Sequence, residues 1–158
     1  MKKFFSLVLV LLMLCCLAGC GTSDTGAETV DLQKVCDEAI ASLEGTDAVF
    51  FPASGEDEIF SVYPDLKGIQ CRQLVAYFHP VMGAPCEVVM LEVADSADVE
   101  AAQSALQSRI DQAAGDTFYT DKARGWKNNA AVYTNGNYVV LSCLPDGVEK
   151  PDAFQAKF

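Results

Sequence analysis

Two segments of the chain place apolar side chains at helical spacing. The first covers residues 31–44, with Asp31 positioned to cap its N-terminus. The second begins at Asp95 or Ser96, and Gly115 closes it. The pattern therefore predicts two amphipathic helices, whose apolar stripes are Leu32, Val35, Cys36, Ala39, Ile40 and Leu43 in the first, and Val99, Ala102, Leu106, Ile110 and Ala113 in the second.

Runs rich in β-branched and aromatic residues predict two β-hairpins. Residues 69–78 and 86–93 form the first pair, and the connection between them holds two prolines and a glycine, which predicts a long turn. Residues 130–144 contain the second pair. Its turn is predicted at Asn135-Gly136, because a type I′ turn needs positive φ at both central residues.

The remaining segments have weaker patterns. Residues 45–68 are interrupted by prolines and glycines, which predicts irregular structure with short elements, and the polar segment 116–127 is predicted to be a loop. Pro151 fits the first turn of a short C-terminal helix. Two hairpins separated by a helix predict an α+β fold: an antiparallel sheet of about four strands with an N-terminal helix, a short C-terminal helix, and the helices on one face.

The start of the chain differs from the rest. Lys2 and Lys3 precede an apolar run, and the small-residue exit Leu-Ala-Gly leads to Cys20. This start resembles the lipobox of bacterial lipoprotein signal peptides, in which the cysteine is diacylated and becomes the first residue of the mature protein. The run is shorter than the roughly 20 apolar residues of a spanning helix. Ordinary secretory cleavage and a retained span are the alternatives.

The lipobox divides the chain into three predicted parts. Residues 1–19 are the signal peptide, residues 20–30 the lipidated cysteine and a flexible tether, and residues 31–158 a single α+β domain. Two acyl chains hold a protein stably, because each buried CH₂ contributes about 0.8 kcal/mol. The expected location is therefore the extracytoplasmic face of the cell membrane, with the lipid as the membrane partner.

The mature part is strongly acidic. Residues 1–19 contain two lysines and no acid, so the mature part has 9 basic and 22 acidic residues and a formal net charge of −13. Nucleic-acid binding needs a basic footprint, so we expect no nucleic-acid partner. The charge indicates a solubilising surface or, alternatively, a patch for cations or a basic partner.

Four cysteines remain beyond Cys20, namely Cys36, Cys71, Cys86 and Cys143. Outside the cytoplasm an even number permits two disulfides, in three possible connectivities. Two of the four, Cys71 and Cys86, flank the first hairpin and are candidates for a bridge, whereas Cys36 lies on an apolar stripe and fits a core position. No Cys-x-x-Cys occurs, so we predict neither a zinc site nor another cofactor.

Candidate catalytic residues are few. His79 is the only histidine, precedes Pro80 and has no Gly-x-Ser-x-Gly element to serve, so we expect an exposed turn histidine. Arg109 is expected to form an ion pair, with anion binding as the alternative. We predict no catalytic residue.

The order of several short motifs is similar to that of a known family. The motifs are Asp31-Leu32, the strand from Cys86 to Val93, the helix with Arg109, and the strand that begins Gly136-Asn137-Tyr138. Together they resemble the small bacterial lipoproteins called domain of unknown function 4358, over residues from about 31 to 154. The resemblance implies a bacterial envelope lipoprotein and supplies no activity, cofactor or catalytic residue.

The predicted anchor and the lack of a catalytic constellation favour a non-enzymatic module that binds an envelope protein or ligand. A small-ligand receptor or transporter accessory protein is the alternative, which predicts a concave apolar pocket. An unfamiliar enzyme would instead place perturbed carboxylates or His79 in a cleft.

Overall fold

The computed structural model describes residues 30–158, so the predicted signal peptide and Cys20 lie outside the described residues. The described chain contains four α-helices, five strands and three short 3₁₀ helices. The α-helices are α1 (Leu32–Ala41), α2 (Glu56–Val62), α3 (Val99–Ala114) and α4 (Thr120–Asn129). The strands are β1 (Phe51–Pro52), β2 (Cys71–Phe78), β3 (Glu87–Val93), β4 (Ala131–Asn135) and β5 (Tyr138–Cys143), and the 3₁₀ helices are Pro64–Gly68, Ser96–Asp98 and Asp152–Gln155.

The five strands form one antiparallel sheet in the order β1-β2-β3-β5-β4. The α+β class and the two hairpins separated by a helix are confirmed. The fifth strand, β1, comes from the segment 45–68, where short elements were predicted but not assigned. It has only two residues and pairs Phe51 with Phe78 at the sheet edge, so its own sequence carries little periodicity.

Helices cover both faces of the sheet, not the one face expected from the sequence. All seven residues of β3 are buried, five of them apolar and two of them glutamates, so each face of this strand needs a cover. Val89 and Leu141 lie on the face packed by α2, α3 and α4. Met90 and Val140 lie on the other face, against α1 and the C-terminal 3₁₀ helix that follows Pro151.

The second hairpin has the predicted tight turn with a different backbone geometry. Asn135 pairs with Tyr138, so the two loop residues are Gly136 and Asn137. Gly136 has a φ of 56°, whereas Asn137 is not among the positive-φ residues of the described chain. Glycine alone supplies the left-handed conformation at the first loop position, which is the pattern of a type II′ turn and corrects the predicted type I′ turn.

The predicted loop at 116–127 is wrong, because most of it belongs to α4. Gly125 lies in the middle of this helix, where glycine is unfavourable. A side chain there would meet Pro85, since a Cβ on Gly125 would lie 2.7 Å from the Pro85 Cγ. Gly125 therefore weakens the helical pattern in the sequence, but its lack of a side chain allows the connection 79–85 to pack closely against α4.

The domain begins at one end of β2. Asp31 caps α1 as predicted, accepting a hydrogen bond from the Lys34 backbone N–H at 3.1 Å. The Gln73 side chain accepts from the Leu32 N–H at 2.9 Å and donates to the Val30 carbonyl at 2.8 Å. The chain therefore enters the domain beside Gln73. His79 follows six residues later, just beyond the end of β2, which places it about 20 Å from Gln73.

The four domain cysteines are free thiols in the structure. The register places Cys71 opposite Val93, whereas the Cys86 carbonyl accepts a hydrogen bond from the His79 N–H. Cys71 and Cys86 thus lie at opposite ends of the hairpin, on the order of 20 Å apart, far beyond disulfide reach. The suggested Cys71–Cys86 bridge is wrong, since the start of one antiparallel strand faces the end of the other.

Candidate functional site

The turn end of the β2–β3 hairpin carries a groove with two lobes. The first lobe has a volume of about 290 Å³ and lies between β1, α2 and the connection His79–Pro85, here called the 79–85 loop. The second has a volume of about 320 Å³ and lies between the same loop, α3 and α4. Met82, Gly83 and Arg109 line both lobes, so the two share a wall.

A buried ion pair forms the floor of the groove. Arg109 on α3 donates to Glu87 at the start of β3, with 3.0 Å from Nη2 to Oε2 and 3.3 Å from Nε to Oε1. Glu87 is 4% exposed and also accepts a hydrogen bond from the Tyr63 hydroxyl. The guanidinium lies 4.9 Å from the ring centre of Trp126. A paired and hydrogen-bonded carboxylate can remain buried in this position without an unsatisfied charge.

The pKa values of the donors around Glu87 fix their protonation. Burial, together with the charge of Glu87, raises the pKa of Tyr63 well above its ordinary value. Burial lowers the pKa of Arg109, but the hydrogen bonds and charge of Glu87 outweigh burial and raise it overall. Tyr63 therefore stays neutral and Arg109 stays cationic at any physiological pH.

One nitrogen of Arg109 remains available to the groove. The hydrogen bonds to Glu87 use Nε and Nη2, and Nη1 has no hydrogen-bond partner among residues 30–158. Every buried side-chain nitrogen or oxygen in that part of the chain has a partner, so Nη1 is not buried. Arg109 lines both lobes and its side chain is 15% exposed, so part of the guanidinium faces the groove.

Side chains of α4 hold the 79–85 loop in place. Trp126 Nε1 donates to the Gly83 carbonyl at 3.1 Å, and Lys122 Nζ donates to the Met82 carbonyl at 2.9 Å. Within the loop, the Val81 N–H donates to His79 Nδ1 at 2.9 Å. Two consecutive carbonyls are thus tied to one helix, which fixes the backbone of the loop.

The fixed loop presents apolar side chains to solvent. Met82 is 92% exposed, and Phe51, Val81 and Tyr119 are each more than half exposed. These four residues, here called the apolar rim, line the two lobes of the groove. Clustered apolar exposure of this kind marks interaction sites more often than isolated surface hydrophobes do.

The structure brings two of the sequence candidates together. Arg109 forms the expected ion pair, with Glu87 as its partner. His79 is half-buried in the first lobe rather than exposed, because the loop folds back over it. Its Nδ1 accepts the Val81 N–H, and no Ser, Thr or Cys side chain of the described domain hydrogen-bonds to it. The described residues therefore contain no hydrogen-bonded nucleophile–base pair at His79.

Sequence reasoning missed Met82, Glu87 and Lys122 as residues of the site. Met82 lay in a segment predicted as a turn, Lys122 in a predicted loop, and Glu87 within a predicted strand. Glu87 carried a usable signal, because a charged residue in a strand otherwise rich in valine, methionine and leucine needs a partner when that strand is buried.

No group of three or more His, Cys, Asp or Glu side chains in residues 30–158 is arranged to hold a metal ion. No helix within the described range is both long and apolar enough to cross a membrane.

Fold and site together define a small α+β domain with a groove framed by a fixed hairpin loop. Residues 54–144, more than half of the chain, match the family described as Domain of unknown function (DUF4358), and the protein belongs to this family. Neither a curated protein nor a solved structure shows significant similarity to the chain. The matched span includes the 79–85 loop, Glu87, Arg109 and Trp126, so most of the groove lies within the family domain, while Phe51 lies just before it.

Proposed function

We propose that this protein is a bacterial lipoprotein anchored through lipids on Cys20 at the extracytoplasmic face of the membrane. Its domain is a non-enzymatic binding module that docks an envelope protein at the groove and the apolar rim. The observation that supports this proposal most directly is the exposure of Met82 on a loop whose backbone is tied to α4.

A fixed loop suits recognition for an energetic reason. Binding costs free energy when flexible segments become ordered, about 0.5–1.5 kcal/mol for each immobilised side chain. The hydrogen bonds to the Met82 and Gly83 carbonyls order the loop before any partner arrives. Methionine adapts its shape to irregular apolar surfaces, so Met82 is well suited to contact a partner's apolar side chain.

The position of the groove favours a protein partner over the lipid surface. The tether enters the domain beside Gln73, whereas the groove lies beyond His79, about 20 Å away along the hairpin. A net charge of −13 on the mature part also opposes close contact with an anionic leaflet. The groove thus lies about 20 Å from the point where the tether joins the domain.

A small-ligand receptor is the second candidate. The first lobe combines apolar walls with the polar Arg109–Glu87 floor, a combination typical of ligand pockets. Its volume of about 290 Å³ falls at the lower limit of such pockets, and the lobe is open to solvent. A protein side chain fits this shape better than an enclosed small molecule does.

The anchor is tested by Cys20→Ser. We expect loss of lipid labelling, with the protein released from membranes or left unprocessed. Unchanged labelling and membrane fractionation would refute the lipid anchor. Cys36→Ser is the matched control, because that thiol lies in the domain core and should not affect lipid attachment.

The docking surface is tested by photocrosslinking in intact cells with a photoreactive residue at position 82. Position 34 is the control, since Lys34 is exposed on α1 on the opposite face of the sheet. We expect one discrete protein adduct from position 82 that is absent from position 34 and weakened by Phe51→Ser. Crosslinks to lipid only, or equal adducts from both positions, would overturn the proposal.

A further inference from the structure

We infer that the groove receives the carboxyl terminus of the partner, with the last apolar side chain in the first lobe and the terminal carboxylate at Arg109 and Lys122. This inference rests on the proposed function and names the chemical group that the site recognises.

The second lobe holds two cations in a domain where cations are scarce. Residues 30–158 contain 9 basic and 20 acidic residues, yet Arg109 and Lys122 line the same lobe. The acid of that lobe, Asp116, is partly engaged, since its Oδ1 accepts from the Phe118 and Tyr119 N–H groups at 2.7 and 3.0 Å, while its Oδ2 has no partner among the described residues. The lobe therefore offers more free donors than free acceptors.

Both cations have donors left over. Glu87 neutralises the charge of Arg109 from behind but occupies only Nε and Nη2, so Nη1 can donate into the groove. Lys122 Nζ carries three N–H groups and gives one to the Met82 carbonyl. A carboxylate has two oxygens with about four acceptor positions, so it can accept from both side chains together.

The shared wall of the lobes favours a terminal residue over an internal acidic one. The first lobe is lined by Phe51, Val62 and Phe78, and it meets the second at Met82 and Arg109. In a C-terminal residue the apolar side chain and the carboxylate leave the same Cα, so one residue reaches both lobes. An internal Asp or Glu would need a second residue for the apolar contact.

The sole tryptophan of the chain reports on the site directly. Trp126 lies 4.9 Å from the Arg109 guanidinium and donates to Gly83 of the loop. The full-length protein in lipid nanodiscs is titrated with a pool of hexapeptides that end in Phe or Leu, once as free acids and once as C-terminal amides. We expect a saturable change in tryptophan fluorescence with the acids and at least tenfold weaker binding of the amides.

Two lysines of α4 provide a matched pair of variants. Lys122→Gln should weaken binding of the free acids several-fold and binding of the amides much less, because the amides are affected only through the lost hydrogen bond to the Met82 carbonyl. Lys127→Gln, at an exposed position that does not line the groove, should leave the binding of both unchanged. Arg109→Lys keeps a cation beside Glu87 and should weaken the binding of the free acids as well. The far-ultraviolet circular dichroism spectrum of this variant is compared with that of the unmodified protein to verify that the variant is folded.

The outcomes separate this inference from the proposed function. Equal affinity for acids and amides would show that the carboxylate plays no part, and the inference would be wrong while apolar docking stands. Absence of binding by either pool, alongside a protein adduct at position 82, would also refute the inference alone. Absence of both would overturn the proposed function with it.

Discussion

Removing the cation of the buried ion pair should destabilise the domain strongly. Arg109→Met keeps much of the side-chain volume against Trp126 but leaves Glu87 buried without its charge partner. Breaking one half of a buried pair typically costs about 3–5 kcal/mol. The Arg109 side chain is 15% exposed and Tyr63 still donates to Glu87, so we expect a value near the lower limit, about 3 kcal/mol.

A second arginine–glutamate pair in the same domain serves as the control. Arg72 contacts Glu92 at 3.0 Å, but the Arg72 side chain is 57% exposed and Gln73 also donates to Glu92. Glu92 is itself buried, but its cationic partner is largely exposed to water, so Arg72→Met should cost about 1–2 kcal/mol, between the ranges for exposed and buried pairs. The two arginines differ mainly in burial, and the comparison isolates that difference.

Urea denaturation followed by far-ultraviolet circular dichroism measures both losses. The double variant Glu87→Gln with Arg109→Met should lose less free energy of unfolding than the sum of the losses in the two single variants, because it leaves no uncompensated charge. The reasoning is refuted if Arg109→Met costs no more than Arg72→Met, or if the two single losses simply add.

Two further predictions follow from the packing. Gly125→Ala should cost about 1–3 kcal/mol of unfolding free energy, because its Cβ would meet Pro85, whereas Gly68→Ala, with open space around it, should be nearly neutral in the same urea assay. Burial raises the pKa of Cys36 and Cys143 to about 12. Since the unfolded chain releases these thiol protons first, the melting temperature should fall as pH rises from about 9 to about 12. A melting temperature that stays constant over this range would contradict the assigned burial.

The sequence was sufficient where one local pattern decides the structure. The stripe with Leu32 and Cys36 located α1, and Asp31 located its start, because capping and amphipathicity depend on neighbours three and four residues away. The tight turn near Gly136 was visible for the same reason, although the choice between turn types depended on which residues pair.

The sequence was insufficient where distant segments meet. α4 was missed because Gly125 and the polar residues around it weaken the helical pattern, and the reason for the glycine lies 40 residues earlier at Pro85. The groove joins Phe51, Met82 and Arg109 from three separate segments. Local periodicity carries no information about contacts between segments that are distant in the sequence.

The chemistry of the groove floor bears on why the site exists. An ion pair buried in a protein is often no more stabilising than apolar residues of similar volume, since both ions lose their hydration. The face around Glu87 is otherwise apolar, with Phe78 and Cys143 beside it in the sheet. Stability alone therefore does not account for Glu87 and Arg109, because an apolar pair would fill this space as well. The proposed docking role would account for them, because Glu87 fixes one edge of Arg109 and leaves Nη1 free to donate to a bound partner.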